Sequence, residues 1–152
     1  MDGDNLRHGL NSDLGFGDDD RRENMRRTAE VAALFADSGV VAVVSLISPF
    51  AAERRRAKEI HAERGLPFYE IFVDTPLDVC ESRDPKGHYA KARAGALPAF
   101  TGIANDYQPP ANAELTIDTS TRSVADGAEA IERLLAETGV LFGDLDDLAA
   151  NI

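Results

Sequence analysis

Eight consecutive residues, Val40-Val41-Ala42-Val43-Val44-Ser45-Leu46-Ile47, include four valines and an isoleucine and carry no charge. A strand with one solvated face alternates apolar and polar residues. An unbroken β-branched run predicts instead a strand covered on both faces, the habit of a parallel sheet. Parallel strands need long crossover connections, usually helical, and the flanks supply them. Over 18–37 a stripe of Met25, Thr28, Ala32 and Phe35, flanked by Val31 and Leu34, recurs at three-to-four spacing. Asp18, Asp19 and Asp20 suit the first turn of that helix, and Gly39 its left-handed cap. Beyond Ser48-Pro49, residues 53–64 predict a strongly charged helix ending at Gly65.

Residues 68–73, Phe-Tyr-Glu-Ile-Phe-Val, read as the next strand, followed by Asp74-Thr75 and a short helix from Pro76 through Ser82. Asp84-Pro85-Lys86-Gly87 is a turn, and 88–93 a short basic helix. Gly95, Pro98, Gly102 and Pro109-Pro110 then punctuate a long irregular segment, and such segments in compact domains usually carry function. Leu115-Thr116-Ile117 predicts a short last strand. Ser123, with Asp126 three residues on, opens a helix whose inner face is Ala128, Ile131, Leu134 and Leu135. The rhythm is that of an α/β fold with a parallel sheet. One domain is expected over 1–138, followed by a tail at 139–152 that reads equally as a docking helix or a frayed end.

Charge narrows the partners. A net charge of −11 argues against a nucleic-acid or anionic membrane surface, so an anion would have to be met in a local basic pocket. The single cysteine, Cys80, allows neither an internal disulfide nor a cysteine-only metal site, which fits a reducing cytoplasm. No apolar run reaches membrane-spanning length.

The first two dozen residues gather the chemistry. Asp2 and Asp4 flank Gly3, and Arg7, Phe16, Arg21, Arg22 and Asn24 follow. Carboxylates hold Mg²⁺ or take a proton, arginine forks bind phosphate or sulfate oxygens in pairs, and a loop aromatic stacks on a base. In open α/β sheets the ligand lies beyond the carboxyl ends of the strands. That rule collects Asp2, Asp4, Ser48 and Asp74-Thr75 on one rim, with the basic 86–93 segment able to fold over it. Individual residues keep simpler readings: Phe16 as a satellite core residue, Ser48-Pro49 as a helix cap, Lys86, Lys91 and Arg93 as a solvated surface. His8, His61 and His88 lack metal-ligand spacing.

Several stretches together resemble the adenylylsulfate kinase family: Asp-Gly-Asp-Asn-Leu-Arg-His-Gly-Leu-Asn at 2–11, Asp-Leu-Gly-Phe at 13–16, Asp-Arg-Arg-Glu-Asn-Met-Arg-Arg at 20–27, Ser-Leu-Ile-Ser-Pro-Phe at 45–50, Asp-Thr-Pro-Leu at 74–77, Asp-Pro-Lys-Gly at 84–87 with Tyr89 and Lys91-Ala92-Arg93-Ala94-Gly95, and Phe-Thr-Gly-Ile at 100–103. The resemblance implies a P-loop kinase-like three-layer sandwich that transfers the γ-phosphoryl of ATP, with Mg²⁺, to the 3′-hydroxyl of adenosine 5′-phosphosulfate. By motif position it places Asp4 near the attacking hydroxyl, with Asp2 supporting it or the Mg²⁺ shell. Arg7, Arg21 and Asn24 would hold the phosphosulfate and ribose, while Phe16 and Phe100 stack on adenine. Ile47 and Ser48 would line the pocket, Ser48 being where the family places a phosphoserine. Lys86, Lys91 and Arg93 would belong to a lid over the phosphates, and Arg83 would lie near the ATP base. The resemblance leaves room for a homodimer and an ATP sulfurylase partner.

Two departures stand out. Ala51 follows Ser-Pro-Phe where the family usually has arginine, and Ala104-Asn105-Asp106-Tyr107 replaces the usual Asp-Ser-Pro-Tyr. More consequential, no G-x-x-x-x-G-K-[ST] occurs in these residues, and a phosphate loop needs its strand, glycine turn and helix. The expectation is that this unit lies before Met1, making the fold N-terminally truncated and the chain negligible as a kinase until the loop is restored. The alternative reading is a non-catalytic module that binds adenosine phosphosulfate or a partner chain.

Overall fold

The computed structural model of the chain describes residues 1–97 and 100–141. In chain order its elements are α1 (Gly3–His8), α2 (Asp18–Asp37), α3 (Ala51–Ala62), β1 (Ile71–Val73), α4 (Leu77–Arg83), α5 (His88–Arg93), β2 (Leu115–Ile117) and α6 (Val124–Glu137). The predicted bounds of α2, α5 and β2 coincide with those observed, and those of α3 and α4 differ by one or two residues, the usual scatter of helix ends. Pro98 and most of the 139–152 tail, from 142 onward, lie outside the described residues.

The chain divides into two compact units. The first comprises Met1–Phe68 and Asp84–Ala111. Its core lies between α2 and α3, where Ala29, Ala33 and Ile60 are buried and Ala57 and Leu66 pack on them. The buried face of α2 is Asn24, Met25, Thr28, Ala29, Ala32 and Ala33. Leu34 and Phe35, expected inside, are exposed by 63% and 48%. The small side chains at 29, 32 and 33 let α3 approach closely, and that line of contact leaves the two bulkier residues to one side. Gly39 and Gly65, at φ +83° and +68°, end α2 and α3 in the left-handed conformation that glycine adopts without penalty.

The 40–47 run departs from expectation. It is extended, but its order comes from one parallel bridge, Asp2 to Ser45. Ser45 N donates to Met1 O (2.9 Å), Gly3 N donates to Ser45 O (3.2 Å), and the Met1 ammonium donates to Val43 O. Val43 and Ile47 are 69% and 58% exposed. Burial of a strand on both faces requires paired edges and covering layers. Among the described residues the run's cross-strand backbone bonds go to Met1 and Gly3 alone.

The second unit comprises Tyr69–Arg83 and the stretch from Asn112 onward. Here β1 and β2 pair in parallel, Ile71 with Leu115, Phe72 with Thr116 and Val73 with Ile117. β1 is shorter than the predicted 68–73 strand because β2 offers only three residues to pair with. α6 lies against β2, with Gly127 buried and its missing side chain replaced by Ile117, whose Cγ2 would sit 3.7 Å from a Cβ. Ile131, Leu134 and Leu135 are partly buried as predicted, while Ala128 is exposed and Gly127 takes its place on the inner face. Ser123 and Asp126 form the reciprocal capping box. No helix among the described residues is long and apolar enough to cross a membrane.

Candidate functional site

Helix α1 is too short for a periodic signal, yet it organises the acidic pair. Asp2 is its N-cap: Oδ1 accepts from Asp4 N (3.0 Å) and Asn5 N (3.3 Å), satisfying donors that a helix start leaves unpaired. Asp4, in the first turn, pairs instead with Lys86, Nζ to Oδ2 at 2.6 Å. The Lys86 hydrogen bond and charge hold the Asp4 carboxyl below its usual range, and the pairing raises Lys86 in turn. Asp84 shapes the turn that presents Lys86. Its two carboxylate oxygens accept from Tyr89 N (3.1 Å) and Ala90 N (3.0 Å), while Gly87 adopts φ +65° at the start of α5. Those backbone donors, Ala90 first, lower the Asp84 carboxyl.

Arg7 and Arg21 converge on one turn. Arg7 Nη1 donates to Leu14 O (3.2 Å) and Gly15 O (2.5 Å), and its guanidinium lies 4.5 Å over the Phe16 ring. Arg21 Nε donates to Phe16 O (2.8 Å) and Nη1 to Thr101 Oγ1 (2.8 Å). Three successive carbonyls are thus held by two guanidinium groups. Burial, followed by the nearby charge of Arg7, lowers the Arg21 pKa, and a guanidinium stays charged regardless. Phe16 is 64% exposed, so it is not a core residue. The 100–105 loop closes on itself through Gly102 N to Asn105 O (2.7 Å) and reaches α2 a second time through Asn105 Nδ2 to Asp18 Oδ1 (3.3 Å). Within it Phe100 meets Tyr89 edge-on at 5.1 Å and His88 at 6.4 Å.

Asn24 is buried, and its Oδ1 accepts from Asn11 Nδ2 at 2.9 Å. Asn11, fully enclosed, is a residue that its sequence context does not mark. Ile47 is exposed and Ser48 half-buried, its Oγ donating to Met25 Sδ at 3.7 Å. Ser48 has φ +49°, the one positive value among described non-glycine residues. Lys91 and Arg93 sit in the last turn of α5 with exposed side chains. The structure therefore joins Asp4 to Lys86, Arg7 and Arg21 to Phe16, and Arg21 to the 100–105 loop. Arg83, Asp74 and Thr75 belong to the second unit, where Arg83 donates to Thr119 Oγ1 (2.8 Å) and Thr119 O (2.7 Å).

An apolar hollow of about 190 Å³, lined by Met1, Phe35 and residues 40–43, contains none of these charged groups. Among the described residues no three His, Cys, Asp or Glu side chains gather as a metal-ligand set. What the arrangement offers is a pair of guanidinium groups around an exposed aromatic ring and, separately, a carboxylate paired with a lysine.

Comparison with known proteins supplies a context. The family model for adenylylsulphate kinase matches residues 1–118. The chain is similar to the adenylyl-sulfate kinase of Saccharomyces cerevisiae, 52% identical over 138 residues, covering 90% of this chain and 68% of that protein. It is similar to the bifunctional enzyme CysN/CysC of Mycobacterium tuberculosis, 53% identical over 135 residues, covering 89% of this chain and 22% of that longer protein. Among solved structures, the Mycobacterium tuberculosis APS kinase CysC in complex with AMPPNP and APS matches with a TM-score of 0.87 at 52% identity, covering 90% of this chain and 78% of that one.

Proposed function

Because the chain belongs to the adenylylsulphate kinase family, we propose that its first unit binds adenosine 5′-phosphosulfate and orients the 3′-hydroxyl for phosphorylation. The activity is that of a phosphotransferase, adenylyl-sulfate kinase, and the fold is that of the solved kinase. The observation that carries the site assignment is the convergence of Arg7 and Arg21 on the Phe16 turn. Their donors rest on neutral carbonyls. Phosphate and sulfate oxygens are stronger acceptors, because a charge-assisted bond is roughly twice as strong as a neutral one. Phe16 is exposed and held by Arg7, a ring available for stacking on adenine, with Phe100 as a second aromatic.

Asp4 sits where a hydroxyl would be oriented. With its pKa lowered by Lys86 it is ionised at neutral pH and a weak base, since an efficient general base titrates near the working pH. Its role is to accept the hydroxyl hydrogen bond and set the direction of attack. In phosphoryl transfer, positioning and charge stabilisation carry most of the catalysis. Lys86 supplies the cation next to that oxygen, and Asp2 acts through α1, whose start it caps. Asn24 serves from beneath, by fixing Asn11 and the end of the α1 segment. ATP with Mg²⁺ is the donor that family membership implies, and the relative complexed with AMPPNP supports it. These 152 residues contain no G-x-x-x-x-G-K-[ST] and, among those described, no metal-ligand trio. They do not fit the triphosphate cradle. A partner enzyme that supplies adenosine phosphosulfate is supported by the longer bifunctional relative.

Calorimetric titration with adenosine 5′-phosphosulfate tests the reading. Saturable binding that Arg21→Ala weakens by about ten- to a hundredfold, the worth of a lost charged hydrogen bond of ~1.5–3 kcal/mol, supports it. No binding by the parent chain, or equal binding by Arg21→Ala, overturns it.

A further inference from the structure

Ser48 is held in the left-handed region at φ +49°, a conformation that side chains other than glycine's avoid and that persists only where the surroundings impose it. The imposing group is on α3. Arg54 is buried, 8% exposed, and donates Nη1 to Ser48 O at 2.7 Å and Nη2 to Gln108 O at 2.6 Å. Its guanidinium lies 5.5 Å from the Tyr107 ring centroid. Gln108 closes the bracket from the other side: its N donates to Pro49 O (3.0 Å), and its Oε1 accepts from Ala51 N (2.8 Å), a donor left over at the start of α3. One buried fork therefore fastens the turn after the 40–47 run to the segment that follows the 100–105 loop.

We propose that Arg54 is a positioning residue for the acceptor pocket. It keeps Ser48 left-handed, which sets the course of the chain from Ile47 into α3 and keeps the Ser48 hydroxyl on Met25, and it anchors the far end of the segment that presents Phe100 and Thr101. This rests on the reading that the first unit binds adenosine 5′-phosphosulfate. The chemistry requires arginine: two carbonyls in different directions are met by one planar fork, which the single ammonium of lysine does not reproduce. Buried arginines in general stabilise folds, so the distinguishing property is coupling to the Ser48 backbone. Glycine adopts φ > 0 without penalty, and Ser48→Gly therefore removes the need for Arg54 at that turn.

The test is a double-mutant cycle on the full chain, with Arg54→Lys chosen to retain stem and charge, and with Gln108→Ala as a control that removes the Oε1 bond to Ala51 N and keeps the backbone bonds to Arg54 and Pro49. Two readouts are taken: the NMR ¹³Cα shift and H^N–Hα coupling of residue 48 without ligand, and the calorimetric Kd for adenosine 5′-phosphosulfate. The expected result is a shifted residue-48 signature in Arg54→Lys and a smaller shift in Gln108→Ala, with affinity reduced on the order of tenfold by Arg54→Lys. In the Ser48→Gly background the Arg54→Lys loss should shrink to about threefold, the remainder belonging to the Gln108 anchor. An unchanged Ser48 signature, or the same affinity loss in both backgrounds, overturns the inference while leaving the binding site in place. A parent chain that does not bind the nucleotide overturns the functional reading, and this inference with it.

Discussion

Lys86 Nζ stands 2.6 Å from Asp4 Oδ2, although 82 positions separate the two residues. Their side chains are 64% and 61% exposed, so the pair is weak as a stabiliser and matters for where it puts a charge. Lys86→Met should leave the melting temperature nearly unchanged at pH 7 and return the Asp4 carboxyl toward 3.8, since Lys86 is the largest cause of its lowering. The signs agree. A lowered carboxyl contributes above its unfolded value and loses that contribution as pH falls through the folded one. A raised ammonium contributes below 10.5 and loses it as pH rises past its folded value. The pair's contribution is thus flat across neutrality and lost only at the acid and alkaline ends. NMR titration of the Asp4 side chain checks this, and an unmoved titration in Lys86→Met would show that the pair does not form in solution.

Arg21 and Thr101 give a second expectation. Removing the hydroxyl in Thr101→Val deletes one hydrogen bond to a partly buried guanidinium and should cost about 1 kcal/mol of stability, with adenosine phosphosulfate affinity reduced several-fold. Thr101→Ser, which keeps the oxygen, should restore both. Urea denaturation with parallel calorimetry separates the two effects.

Position 3 sets two effects of similar size against each other. A Cβ on Gly3 would lie 2.9 Å from Leu46 Cδ2, the end of a flexible side chain. Relieving that contact costs about 1 kcal/mol, the low end for overpacking, whereas alanine in place of glycine gains at most the ~1 kcal/mol of a helix interior, Gly3 being the first residue of α1. Gly3→Ala should accordingly be near neutral. In a Leu46→Ala background the clash is gone and the same change should stabilise, a reversal that denaturant midpoints will show directly.

Glu23 is held at about 2 by Arg26 and then Arg27. Its lowered value means that the interaction is complete above 4.5 and is lost as pH falls from 4.5 toward 2. Glu23→Gln should flatten the acid limb of the stability curve in that interval and do little at pH 7. Thermal midpoints measured stepwise from pH 6 to pH 2 test it; parallel curves for the two proteins would contradict the assignment.

The sequence carried the helices well because their signals are local: three acidic residues at the start of α2, glycines at two helix ends, and Ser123 with Asp126 before α6 each specify an end by their own chemistry. The pairing of Asp4 with Lys86 is not legible there, since their meeting depends on tertiary closure across 82 positions. Residues 40–47 promise a doubly covered strand because β-branched composition reports what a strand prefers, and what covers it depends on other segments. Arg54 and Gln108 carry no signal in the sequence: each works by binding backbone, and a polar residue doing so looks there like any surface residue.

The extended 40–47 run bears on how the protein behaves in bulk. A valine-rich run with exposed side chains and few backbone bonds is a template on which another chain can pair, and aggregation begins on such segments. What opposes it is the charge of −11, a repulsion that acts over about 10 Å in 0.1 M salt and about 3 Å in 1 M. Salt concentration, more than folding stability, then sets how concentrated a clear solution of this protein can become.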